Sequence, residues 1–356
     1  MLSNWKTLAI PPINQSAMEA AKRKVDLLVK PLGSLGRLEE IAIQLAGIHG
    51  EIPQTLDKRR IVVFAADNGL WATGVSPVPQ DVTLKQAINM TRGKTGVCAL
   101  ARFAGCELVV VDIGINADIT PGVLIDNKLA KGTADFTLGP AMSREDASHG
   151  LDVGVKLATS AARERINLLA AGEMGICNTS TSAAVLSALT GMPANDTVGK
   201  GAGLSQAQFS LKREVVARAL EVNKPDLDDP LDVLAKVGGF DIAGMAGLFI
   251  GGAAERLPMV VDGFIAMVAA LIAVRLRPEV RPYLFASHIS RELGFTRAAR
   301  ELALTPVLDM QMRLGEGSGC PLMMLVMESA LRMAHEMGTF EEAAIDIGDY
   351  VDLRAE

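Results

Sequence analysis

Aromatic side chains make up only 4% of this 356-residue chain, and histidine and cysteine are scarcer still, with four of each. There is no H-E-x-x-H, no C-x-x-C and no paired Cys/His set, so nothing in the sequence points to a metal site. Positive charge is sparse too. No Lys/Arg cluster exceeds Lys22-Arg23-Lys24 and the net charge is −6, which argues against a phosphate-tracking face for nucleic acid. Long apolar runs are missing: Ile242–Ala254 is too short to span a bilayer and is rich in glycine and alanine. The first residues, Met1-Leu2-Ser3-Asn4-Trp5-Lys6, contain no signal-peptide core. A G-x-S-x-G elbow is absent, and Ser287-His288, adjacent in sequence, is expected to point divergently, a poor nucleophile–base pair. The chain is therefore expected in the cytoplasm, with Cys98, Cys106, Cys177 and Cys320 reduced and buried.

What is present is hydrophobic bulk, 49% of the chain, drawn from Ala, Leu, Val, Ile and Met. That suffices for one large α/β domain plus a smaller piece. From about Ser16 to Gly50 the apolar spacing predicts two helices broken at Lys30-Pro31-Leu32-Gly33. Short apolar runs follow, each ending in a polar or glycine cluster: Ile61–Ala66, Leu108–Val111, Leu168–Ala171, Met259–Val261 and Tyr283–Ala286. A weaker sixth, Val307–Leu314, leads into Gly315-Glu316. Uniformly apolar strands alternating with helices predict a Rossmann-like, mostly parallel six-stranded sheet with helices on both faces. Ligands bind such sheets beyond the carboxyl ends of the strands, which would gather Glu173, Asp262, Ser287 and Glu316 into one crevice. Helices are expected over Asp81–Ala104 with a break at Thr91–Gly96, and over Thr179–Leu189, Gln206–Val222, Ile242–Ala254 and Phe264–Leu276. The domain boundaries read as 1–55 with 320–345 for a small helical domain, 56–319 for the large one, and 346–356 as a tail.

Four stretches carry candidate chemistry. In Arg313-Leu314-Gly315-Glu316-Gly317-Ser318-Gly319 a lone acid sits between glycines, ahead of an apolar helix. It is either a catalytic base or a turn residue complementing the helix dipole. Gly172–Thr181 follows a strand and opens a helix, suiting an anion, with Asn178 or Thr179 as a plain N-cap being the alternative. Gly199-Lys200-Gly201-Ala202-Gly203 fits no nucleotide-loop spacing, yet with Lys212 it could hold an anion. Gly238-Gly239-Phe240-Asp241 could cap a helix or contact phosphate.

Taken in order, three of these stretches, Gly172–Thr179, Val237–Asp241 and Arg313–Gly319, closely resemble one known family. They are joined by Lys30–Glu39, Asp67-Asn68-Gly69, Pro79–Thr83, Asn89–Gly93, Asp262-Gly263-Phe264 and Ser287–Ser290. The family is the nicotinate-nucleotide–dimethylbenzimidazole phosphoribosyltransferases, and the resemblance runs from about residue 15 to 335. It implies transfer of 5-phosphoribosyl from nicotinate mononucleotide to a cobamide lower-ligand base with inversion at C1′, no cofactor, and a dimer. By analogy the base is Glu316. Ribose and phosphate would be held by Glu173, Gly175, Asn178, Thr179, Lys212 and Ser290, with Gly201 and Asp241 completing the set. Val78, Gln86 and Leu314 would line the acceptor pocket.

The sequence departs from the family pattern in places. Asn68 stands where Asp-His-Gly is usual, Val78 where some members carry serine, and Cys177 and Ser180 replace commoner small residues. These departures bear on the acceptor, a benzimidazole, purine or phenol, and leave open a heterodimer with a paralogue. A partner subunit without activity of its own and an unassigned nucleotide-binding α/β protein are the rival readings.

Overall fold

Side-chain caps and glycine stops set the first helices. Asn14 accepts the amide of Ala17 at 3.0 Å and opens α1 (Gln15–Asp26), and α2 (Arg37–His49) ends at Gly50, whose φ is +93°. Between them the buried ammonium of Lys30 pairs with Glu39 at 2.8 Å. The structure, a computed structural model, describes residues 4–201, 203–346, 348 and 352–355.

The sheet is six-stranded and parallel at every pairing. Its strands are β1 (Arg59–Ala66), β2 (Cys106–Gly114), β3 (Ile125–Asp126), β4 (Leu168–Met174), β5 (Met259–Val261) and β6 (Leu284–Ala286). They lie in the order β3-β2-β1-β4-β5-β6, so the winding direction reverses between β1 and β4. Register sets Phe64 opposite Glu173, so Glu173 lies near the carboxyl end of β4. The first strand begins two residues earlier than hydrophobicity predicts because Arg59 and Arg60 are buried there and paired, Arg59 with Glu328 and Arg60 with Glu107 and Glu164.

One expected strand is not there. Val307–Leu314 makes a single parallel bridge, His288 to Leu308, and is otherwise irregular; the sixth strand is β3 on the opposite edge. The two residues of β3 are exposed and carry no apolar run, so no hydrophobic signal marks them.

The remaining helices are α3 (Val82–Thr91), α4 (Gly96–Phe103), α5 (Arg144–Arg163), α6 (Asn178–Thr190), α7 (Ala194–Thr197), α8 (Gln206–Asn223), α9 (Pro230–Val237), α10 (Phe240–Ala254), α11 (Phe264–Leu276), α12 (Phe295–Glu301) and α13 (Cys320–Glu336). The break between α3 and α4 falls where Thr91–Gly96 predicts it. Helix α5 lies outside the sequence-based expectation, although its capping box, Ser143 with Asp146, is legible in the sequence. Helix α2 packs against both α1 and α13, and the buried α10 and α11 are apolar all round apart from Asp241 in the first turn of α10 and Arg275 in the last turn of α11. Three of the cysteines are buried, Cys106 is half-buried, and all four are free. Among the described residues no helix is long and apolar enough to cross a membrane.

Helix α5 packs backbone to backbone against α10. A Cβ on Gly247 would lie 2.0 Å from the carbonyl oxygen of Leu151, and one on Gly154 would lie 2.1 Å from that of Gly244. Backbone meets backbone here, with no flexible side chain to yield. Gly247→Ala should therefore lower stability by about 1–3 kcal/mol despite alanine's better helix propensity. Urea unfolding measures this; a variant as stable as the wild type would mean that the helices can part at no cost.

Candidate active site

Polar residues meet where the strands end. Loops following β1, β4, β5 and β6 join the turn before α13 around a cavity of about 370 Å³. It lies at the carboxyl edge of the sheet, beside the reversal between β1 and β4, where doubly wound sheets hold ligands. Val78, Gln86, Glu173, Gly175, Asn178, Thr179, Gly201, Lys212, Ser290, Leu314 and Glu316 all line it. Asp241 does not; it is fully buried behind Asn178.

Glu316 sits in an unusual turn. Its φ is +64°, between Gly315 at +81° and Gly317 at +82°, so the backbone is left-handed at all three. The turn presses on β4: a Cβ on Gly172 would lie 2.6 Å from the Glu316 carbonyl oxygen. The buried carboxylate is held from outside the turn. Gln86 of α3 donates to Oε1 at 2.8 Å, and the amide of Val97, in the first turn of α4, donates to Oε2 at 3.5 Å. Any dipole contact is thus to α4, not to the helix that follows in sequence.

At the other end of the cavity Lys212 of α8 is 2% exposed. Its ammonium donates to Thr179 Oγ1 at 2.9 Å and to the Gly199 carbonyl at 3.1 Å. No ion pair involves it among the described residues, and burial lowers its pKa from the usual lysine value. Gly201, with φ of +54°, leaves open a place that a Cβ would fill 3.1 Å from Thr179 Oγ1 and 3.4 Å from Lys212 Nζ. The glycine–lysine stretch that spacing alone left ambiguous thus folds over a buried cation at the start of α6, a setting that suits an anion. Ala202 lies outside the described residues.

Between the two ends the acids crowd. The side-chain amide of Asn178 bridges two carboxylates, donating to Glu173 Oε2 and, at 3.2 Å, to Asp241 Oδ2. The amide of Glu316 donates to the other oxygen of Glu173 at 3.3 Å. Burial, reinforced by the charge of Asp241, raises Glu173 to about 8; burial likewise raises Asp241 to about 6.

Two expectations need correction. Asn178 and Thr179 are not the N-cap of α6: Cys177 is, through a left-handed backbone (φ +77°) and without a side-chain bond, so Asn178 is free to bridge the acids. Ser287 and His288 do not diverge, since Ser287 Oγ lies 2.9 Å from His288 Nδ1. Ser287 is fully buried, however, and its hydroxyl reaches the Asp262 carbonyl at 3.1 Å, so it cannot meet a substrate. Gly239 caps α10 and lines no part of the cavity, as its helix-capping reading requires. Glu292, which the sequence did not single out, also lines the cavity, and its Oε2 is buried without a hydrogen-bond partner. Its place two residues after Ser290 was the one available signal.

A phosphoribosyltransferase family model matches residues 10–345. The chain is 46% identical over 336 residues to the nicotinate-nucleotide–dimethylbenzimidazole phosphoribosyltransferase of Clostridium perfringens strain ATCC 13124, covering 94% of this chain and 93% of that one. It is also 46% identical over 340 residues to the enzyme of the same name from Alkaliphilus metalliredigens, covering 95% and 97%. The chain belongs to the nicotinate-nucleotide–dimethylbenzimidazole phosphoribosyltransferase family. A crystal structure bearing that enzyme's name, from Thermus thermophilus, superposes with a TM-score of 0.88 at 38% identity, over 94% of this chain and 99% of that one. The protein is accordingly a glycosyltransferase of the pentosyl-transferring kind.

In this phosphoribosyltransferase the departures from the family pattern differ in their reach. Asn68 is buried outside the cavity wall, accepting from Thr181 Oγ1 at 2.7 Å and donating to the Ile176 carbonyl at 3.4 Å. It shapes the α6 loop instead of touching a ligand. Val78, Cys177 and Ser180 do line the cavity. Burial pushes the Cys177 thiol up to about 12, so it is no nucleophile.

Because the folded protein keeps Glu173 protonated to a higher pH than the unfolded chain does, stability is greatest below about pH 4.5 on this group's account. It falls as pH rises through about 8, with Asp241 contributing to the fall up to about pH 6. Melting temperatures of the ligand-free protein and of Glu173→Gln should diverge in the variant's favour between pH 5 and pH 8.5. Parallel curves would mean that Glu173 is ionised throughout.

Proposed function

We propose that this chain transfers 5-phosphoribosyl from nicotinate mononucleotide to 5,6-dimethylbenzimidazole or a close analogue. Nicotinate leaves, and the product is an α-ribazole 5′-phosphate, inverted at C1′. The observation that carries this reading is one cavity with an anion-suited end at Lys212 and a buried carboxylate, Glu316, at the other.

The 5′-phosphate sits against Lys212, Thr179, Gly201, Ser290 and the first turn of α6, beside Gly175. The leaving group is a pyridinium, so the electron pair of the breaking C1′–N bond neutralises the ring nitrogen and no acid is required. The acceptor nitrogen attacks the opposite face of C1′, and its ring N–H proton passes to Glu316. Gln86 and Val97 fix that carboxylate, while Val78, Gln86 and Leu314 flank the acceptor ring. Glu173 borders the ribose; a pyridinium brought beside it favours its ionised form, which then faces the developing oxocarbenium charge. Asn178, anchored on Asp241, holds Glu173 in place. Holding donor and acceptor face to face supplies effective molarity, the largest contribution available to such a site.

The apolar wall that includes Val75, Val78 and Val82 favours a phenol or cresol as a second acceptor class. A phenolic proton, with a pKa of about 10, still needs the base. The working unit is a cytoplasmic homodimer; assay of the purified chain alone separates this from a paralogue-dependent subunit.

Glu316→Gln should cut turnover about 10²- to 10⁴-fold while nicotinate mononucleotide still binds. Near-normal turnover would remove Glu316 from the chemistry. Lys212→Met should weaken nicotinate mononucleotide binding about ten- to a hundredfold, as loss of a charge-assisted phosphate contact requires; calorimetric titration checks it. Mass spectrometry of products from a mixed panel of benzimidazoles, adenine and phenols identifies the acceptor, and no ribosylated product from any of them would sink the transferase reading.

A further inference from the structure

Asp262, at the carboxyl end of β5, has no part in the chemistry described so far, yet it reaches across the sheet edge to the turn that carries Glu316. Its Oδ2 accepts the amide of Gly317 at 3.2 Å and its Oδ1 the amide of Gly319 at 2.7 Å. Gly317 is the residue directly after Glu316, and Gly319 caps α13. One carboxylate therefore binds both the left-handed turn and the start of the helix behind it. A turn with three successive positive φ values does not hold itself: left-handed backbone costs a non-glycine residue such as Glu316 about 1 kcal/mol or more.

Asp262 is itself braced. It is 3% exposed, and its carbonyl accepts from Ser287 Oγ at 3.1 Å. The same hydroxyl lies 2.9 Å from His288 Nδ1, which stands 3.8 Å from Asp262 Oδ1. His288 also fills the space beside Gly319, where a Cβ would fall 2.2 Å from its Nδ1. The Ser287–His288 pair that cannot serve as a nucleophile and base thus has a different use: Ser287 ties down the backbone of Asp262, and His288 packs between its carboxylate and Gly319.

We propose that Asp262 is a positioning residue: through the amides of Gly317 and Gly319 it fixes the left-handed turn that presents Glu316 to the acceptor, its own backbone being held by Ser287. This rests on the reading of Glu316 as the base. Asp262→Asn replaces one accepting oxygen with an amide NH₂, so that donor faces donor. A loosened turn misplaces the base while leaving the Lys212 end of the cavity untouched.

The test is a double-mutant cycle in single-turnover kinetics. Asp262→Asn should lower kcat about 10²-fold with nicotinate mononucleotide affinity unchanged to within about twofold. In the Glu316→Gln background the same substitution should cost little further. Gly317→Ala, which strains the turn at φ +82°, serves as a second probe with the same expected pattern should Asp262→Asn fold poorly. Multiplicative losses in the double variant, or a normal kcat in Asp262→Asn, would overturn the positioning role. A silent Glu316→Gln alone would instead indict the base assignment, so the two failures are distinguishable.

Discussion

The contact between Gly172 and the backbone of Glu316 is the one on which the rest of this site depends. It joins the end of the central strand β4 to a turn more than a hundred residues later, at a separation no side chain at position 172 would permit. At Gly172 β4 is buried and still paired with Val63 of β1, although its pairing with β5 has ended at Ala171, so the central pair of strands holds this end. A turn laid directly on it inherits that rigidity. Gln86 and Val97 then secure the carboxylate from α3 and α4, so elements from three separate parts of the chain agree on one side-chain position.

Crowding three buried acids, Glu173, Asp241 and Asp262, at one sheet edge costs stability, since burial raises the pKa of each. The cost is limited by amide donors: Asn178 between Glu173 and Asp241, the Glu316 amide on Glu173, and the Gly317 and Gly319 amides on Asp262. A cationic ligand would find negative charge ready to form there, and an anionic one finds Lys212 buried without an ion-pair partner among the described residues. Nicotinate mononucleotide, the proposed donor, carries both charges on one molecule.

Much of this was legible in the chain. The apolar runs marked β1, β2, β4, β5 and β6, and the polar residues ending them marked the crevice, because a strand buried on both faces must be apolar and its first exposed residues must not be. The ambiguous stretches were those whose meaning lies in a partner. Gly199–Gly203 could be joined with Lys212 as an anion site but fits no nucleotide-loop spacing that would decide it, and nothing in Cys177 discloses that it, and not Asn178, adopts the capping backbone. Residues 307–314 looked like a weak strand because apolar side chains recur among Asp309, Gln311 and Arg313, but a strand also requires a neighbour in register, and only Leu308 finds one.

By itself the sequence determined the layered α/β architecture, the end of the sheet where ligands must bind, and that Glu173, Asp262 and Glu316 gather there. These follow from local patterning, since periodicity and burial are written residue by residue. Only the tertiary structure decided which acid faces the cavity and which lies behind it, that Asn68 shapes a loop without lining the site, and that Asp262 supports the turn before α13. Those outcomes depend on distances between segments far apart in the chain, fixed by strand order and by backbone contacts for which a one-dimensional pattern has no coordinate.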